Sequence, residues 1–252
     1  AYEILAGLEF RRVLFRSFAA VMLARATADL ARSRRDGGEA AAAGALFEEA
    51  VEAFRRQDAQ ASDDAVFLKL AATTAIGAAQ HWREQGDRAA ATRAASDARD
   101  WAARLEALDA DDPNHRLLAA VAIREQVLSA DGADASTLDA ALESLEAIAA
   151  EHPDAPRLQA VLTETLLHAA ACHLNSRDYA AAGARASRAE ALAEGLDGVE
   201  FAFLRAQALF FRGVSEIGAG NASAAKATLS DALGECQAAE DRGADRAGAE
   251  SL

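Results

Sequence analysis

His168, Cys172 and His173 are the residues of this chain best equipped for chemistry. His168 and Cys172 stand four apart, so on a helix they share one face, as paired metal ligands do. Two ligands are not a site, and no acidic, His or Cys partner at matching spacing stands elsewhere. The group therefore reads as a packed polar and apolar surface without metal. His81, His115 and His152 fall at helix ends or turns, where an imidazole favours the negative end of a helix dipole or faces water. None has a partner for general acid–base work. Asp63-Asp64 and Asp111-Asp112 read as first-turn and loop carboxylates. A glycine-rich phosphate loop, a nucleophile elbow and an HExxH pair are all missing from the sequence. We expect no enzyme and no cofactor.

Composition points to the elements that hold these residues. Of 252 residues, 71 are Ala, the strongest helix former, whereas aromatic and β-branched strand formers are scarce. Three prolines, Pro113, Pro153 and Pro156, each stand where one helical pattern gives way to the next. The formal charge of −14, from 26 basic and 40 acidic residues, argues against nucleic acid as a partner. The longest apolar stretch, Leu70 to Trp82, falls short of the ~20 residues of a membrane span. Cys172 and Cys236 form no CxxC pair and read as buried small hydrophobes in a reduced, cytoplasmic setting. Lys69 and Lys226 are the only lysines, a bias of GC-rich bacterial genomes.

Residues 1–17 (AYEILAGLEFRRVLFRS) lack the order of a secretion signal. Arg11 to Ser17, RRVLFRS, is the translation of AGA CGT GTG CTC TTC CGA TCT, the end of a common sequencing-library adapter. The upstream residues fit the same frame except at Gly7. We expect residues 1–17 to be an artefact fused to a gene fragment.

Breaks carrying Gly, Asp, Asn or Pro recur along the rest: Asp36 to Gly38, Asp58 to Asp63, Gly86-Asp87, Asp111 to Asn114, Asp131-Gly132, His152 to Pro156, Ser176 to Asp178, Asp197-Gly198 and Gly220-Asn221. Between them run apolar stripes of helical period, such as Ala43, Phe47, Ala50 and Phe54, or Leu138, Ala141, Leu142, Leu145 and Ile148. The pattern predicts helices near 18–35, 39–57, 63–85, 87–109, 114–130, 136–151, 155–175, 178–195, 199–218 and 221–240. Ser62, Ser136, Asp154 and Asn221 are candidate N-caps. Loops this short make neighbours antiparallel. Five hairpins follow, with inner turns near 38, 86, 132, 177 and 220 and a period of about 43 to 48 residues. The segment 241–252 has no apolar stripe and reads as a frayed tail.

Gly213 and Gly220 stand seven apart, followed by Ala225, Leu229 and Ala232 in a small, large, small order. In these residues the last hairpin resembles a tetratricopeptide repeat. Looser matches are Trp82, Gly86, Ala91 and Ala98; Ala141, Leu145, Ile148 and Pro153; Tyr179, Ala182 and Ala189; and Gly38, Ala43, Phe47 and Ala50. These hairpins are longer than the family's usual 34-residue repeat and lack its first-helix glycine in four of five cases.

The resemblance covers residues 18 to 240 and implies an all-α solenoid, a TPR-like superhelix of about five antiparallel hairpins. It implies a concave groove lined by the first helix of each pair, holding a protein or peptide. By register from the turns, the positions implied are Arg32, Arg35, Gln80, Arg83, Glu164, Asn175 and Phe210. The arginines would offer bidentate contacts to carboxylates. The Phe201, Phe203, Phe210 and Phe211 group divides between core and groove. The functional expectation is a protein-interaction scaffold; the alternative is the C-terminal sensor or regulatory part of a larger bacterial signalling protein. A truncated first hairpin would leave Phe18, Val21 and Leu23 partly exposed.

Overall fold

The computed structural model describes the backbone of residues 2–58, 64–130, 135–196 and 198–250, and side-chain surroundings for 19–58, 64–130, 137–196, 198 and 201–241. Among the described residues there are ten α-helices and no strand. They are α1 (Tyr2–Asp36), α2 (Ala40–Asp58), α3 (Ala65–Glu84), α4 (Arg88–Leu108), α5 (Pro113–Ser129), α6 (Ala135–Glu151), α7 (Pro156–Asn175), α8 (Tyr179–Glu194), α9 (Val199–Gly218) and α10 (Ala222–Glu250). Internal boundaries fall within two residues of the expected ones. At the ends, α1 begins at Tyr2 and α10 continues to Glu250. No described helix is long and apolar enough to cross a membrane.

Four hairpin turns share one construction. The last helical carbonyls leave off at Gly38, Gly86, Arg177 and Gly220, which take left-handed backbone at φ 77°, 76°, 62° and 83°. The next residue's N–H then reaches back five positions: Glu39 to the Arg34 carbonyl, Asp87 to Trp82, Asp178 to His173 and Asn221 to Glu216, all at 2.8–2.9 Å. This pairing satisfies carbonyls that a helix end would leave bare. The same residue opens the following helix, where the Asp87 and Asp178 carboxylates accept the N–H of Ala90 and Ala181. A chain that stops one helix and caps the next within two residues has to double back. The expected turn at Asp131-Gly132 lies outside the described residues.

Counting from these turns gives the packing register. Seven residues before the left-handed position stand Ala31, Ala79, Ala170 and Gly213; five after it, Ala43, Ala91, Ala182 and Ala225; twelve after it, Ala50, Ala98, Ala189 and Ala232. All are buried. Small side chains there let paired helices close at interior density. At Gly213 even a methyl is too much, since a Cβ would lie 2.7 Å from Leu229 Cγ.

The chain forms two compact units, Ala1–Ala133 and Asp134–Leu252. In the first, α1 pairs with α2 and α3 with α4, α2 packs on α3, α4 on α5, and the first helices α1, α3 and α5 are successive neighbours. Its core sets Phe54 edge-on to Phe67 and Trp101, at centroid distances of 5.6 and 6.3 Å. In the second, α6 packs on α7, α7 pairs with α8, α8 packs on α9, α9 pairs with α10, and α7 lies beside α9. Leu138, Leu145, Leu162 and Leu166 are buried there among alanines.

The caps correct three expectations. Asp64 caps α3 through the Phe67 N–H at 2.9 Å, while Ser62 lies outside the described residues. Ala155 replaces Asp154 before α7, because Pro156 supplies a first-turn φ and needs no N–H partner. Ser136 falls inside α6, which begins at Ala135. Asn221 holds the expected position, its carbonyl accepting the Ala225 N–H. Of the side chains expected to be partly exposed, Leu23 is exposed but Val21 is buried, and Phe18 lies outside the described residues.

Candidate functional site

In the first unit Arg32 and Arg35 stand six and three residues before the turn of α1, and Gln80 and Arg83 hold the same positions on the neighbouring α3. The contacts of Gln80 and Arg83 centre on a residue that sequence reasoning missed. Glu125 of α5 is fully buried. Its carboxylate accepts from Gln80 Nε2 at 3.2 Å, Arg83 Nη2 at 3.5 Å, and Arg124 Nε and Nη2 at 3.2 and 3.0 Å. Such pairing is what makes a charge tolerable away from water. Arg32 bonds Asp29 at 2.5 Å and lies over Gly77 of α3, its Nε 3.7 Å from where a Cβ would stand. Arg35 bonds Asp36 at 3.2 Å. Each expected arginine is thus half-buried and held by a carboxylate, rather than extended into water.

Behind this face, His81 stands in the last turn of α3, as expected of a helix-end histidine, but it does not face water. It is fully buried between Phe47 and Trp82, at centroid distances of 5.5 and 5.0 Å. Neither ring nitrogen makes a hydrogen bond of normal geometry. Burial holds its pKa below the ordinary value; Glu84 and the Ala40 backbone oppose that shift, and the Arg35 charge adds to it. His115 is also placed differently: it stands in the first turn of α5, the positive end, with Nε2 3.5 Å from Asp112. His152 is exposed just past α6, as expected.

In the second unit the expected residues do not converge. Glu164 is half-buried and lines a hollow of about 620 Å³ with Pro156, Arg157, Phe201 and Phe203. Phe210 is exposed on an adjoining hollow that shares Phe203 and Leu204 with the first, and is tilted against Phe211 at 5.7 Å. Asn175 is exposed at the end of α7. His168 Nδ1 is 2.7 Å from the Glu164 carbonyl, Cys172 is buried, and His173 Nδ1 is 3.7 Å from Asp178. Among the described residues no three His, Cys, Asp or Glu side chains gather as a metal site would require.

A signal for the Glu125 cluster did exist. The described polar pairs between like helices of adjacent hairpins are separated by nearly one repeat: Arg55–Asp97 by 42 residues, Asp58–Arg104 by 46, Gln80–Glu125 by 45, Arg83–Glu125 by 42 and Asp139–Arg185 by 46. Matching opposite charges at the period read from the turns would have found them.

The turn construction, the small-residue register and the neighbouring first helices define a TPR-like helical repeat fold. No protein-family model matches the chain, and no curated protein matches it in sequence. Among solved structures, BtubC (BKLC) from P. vanneervenii superposes with a TM-score of 0.61 at 18% identity, over 91% of this chain and 86% of its own. A MamA protein aligns over 86% of this chain and 91% of its own, with a TM-score of 0.48 at 13% identity. The likeness to BtubC is one of fold.

Proposed function

We propose that this chain is a protein-interaction scaffold, acting by binding rather than catalysis, and that the first helices of its N-terminal unit hold a carboxylate-bearing segment of a protein partner. The observation that carries this is the group of Arg32, Arg35 and Arg83 on one face. Arg83 is held by the buried Glu125 carboxylate, which lowers the entropy lost on binding, while Arg32 and Arg35 pair with the exposed Asp29 and Asp36. A guanidinium has five N–H donors, and the internal acids take only some of them. The Arg83 Nε is buried and has no hydrogen-bond partner among the described residues.

Panning a displayed random-peptide library on the purified 252-residue chain tests the reading. A shared acidic motif is expected. Reversing Arg32, Arg35 and Arg83 together to Glu should reduce its affinity by a factor of 100 or more, on the order of 3 kcal/mol. A library that yields no common motif, or a motif that binds the triple variant equally well, overturns the proposal.

A further inference from the structure

We propose that copies of this chain associate end to end, the first helix of one packing on the last hairpin of another as the next repeat would. The register shows how successive hairpins join. Thirteen residues after their described turns, α2, α4 and α8 each present a side chain to the next first helix. Val51 shares a core and a small cavity with Ala78, Arg99 bonds Gln126 at 2.6 Å, and Glu190 pairs with Arg212. Ala78 and Arg212 both stand eight residues before their own turns.

On α1 and α10 these positions are both leucine and have no such contact among the described residues. Leu233 stands thirteen after the last turn and is 72% exposed, and Leu30 stands eight before the first and is 46% exposed. The surrounding positions repeat the pattern. Ten residues before the turn, Ala28, Ile76 and Leu167 are buried on first helices that have a following first helix beside them, whereas Phe210 is 50% exposed on α9. Fifteen before it, Ala71 and Leu162 are buried on α3 and α7, which have a preceding second helix against them, whereas Leu23 is 67% exposed on α1.

A hollow of about 500 Å³ on the last hairpin, lined by Phe203, Phe210, Leu229, Leu233 and Cys236, is available to an incoming helix. The exposed sides of the first and last described hairpins are apolar in matching positions. The occupant that fits is α1 of a second copy, with Leu30 against Leu233. The two surfaces differ, so the contact is heterologous and copies can keep adding.

Sedimentation of the full chain from low micromolar to sub-millimolar concentration tests this. The average mass should rise past twice the 26.3 kDa of one chain. Leu30→Glu and Leu233→Glu, exposed sites on which Glu keeps the helix, should each be monomeric with unchanged circular dichroism. Mixed together, they should form a one-to-one pair that grows no further, because each variant retains one intact face. The double variant Leu30→Arg/Leu233→Glu should associate again, reproducing the Arg212–Glu190 joint. A chain that stays monomeric throughout, or a dimer that survives Leu30→Glu, overturns the proposal. At an ionic strength of about 0.5 M, where the added negative charge is screened, the Arg32, Arg35 and Arg83 reversal should leave this association unchanged, so the two proposals fail separately.

Discussion

Arg177 is, among the described residues, the one non-glycine with left-handed backbone, at a turn position that Gly38, Gly86 and Gly220 fill elsewhere. An L side chain there costs about 1–2 kcal/mol. Glycine would remove that cost at the expense of about 0.5–1 kcal/mol of chain entropy. Arg177→Gly should therefore raise stability by about 0.5–1 kcal/mol, read as a higher urea midpoint at constant slope. His81 gives a pH dependence whose sign follows from its lowered pKa. The unfolded chain takes up a proton near pH ~6.5, and the buried ring resists it. This contribution is fully present above that pH and is lost as pH falls below it. His81→Leu should lose less stability than the parent between about pH 7 and 5. Parallel losses in the two chains would remove His81 from the explanation. The burial of His81 was not legible in the sequence, because a histidine in a last helical turn looks the same whether water or Phe47 lies beside it.

At the level of helices, far more could be read in advance. Ala-rich segments punctuated by Gly, Asp and Pro fix where helices start and stop through local hydrogen bonding alone, and internal boundaries fell within two residues. The partners of polar side chains depend on helices about 45 residues apart, as Gln80 and Glu125 are, so the register of Arg83 on its helix was legible but not its place in an ion pair. The close fit of α9 and α10 is testable as a coupling. Gly213→Ala should cost about 1–3 kcal/mol through the clash with Leu229. The double variant Gly213→Ala/Leu229→Ala should cost less than the sum of the two single changes, because a smaller residue at 229 makes room for the new methyl. It would repeat the small pairs Ala79 with Ala95 and Ala170 with Ala186, which hold the same register positions and are buried. Strict additivity in denaturation experiments would contradict that picture.

For the whole chain, the net charge of −14 is the dominant long-range term. It opposes any approach of two copies, while the joint between Leu233 and Leu30 carries no charge of its own. Raising ionic strength from about 0.05 to 0.5 M should thus strengthen association, as screening shortens to a few ångströms. Association weakened by salt would show that ion pairs hold the contact instead. The division at residue 133 was not legible, since Asp131-Gly132 reads like the other turns.

The polar pairs spaced 42 to 46 residues apart also set a rule for editing the chain. Removing or inserting a single helix would slide the charges on either side of the edit past their partners, as it would separate Arg55 from Asp97 if made between them. A change of one whole hairpin keeps the phase. The hairpin is therefore the unit in which this sequence can be lengthened, shortened or recombined, much as a ratchet accepts only full teeth.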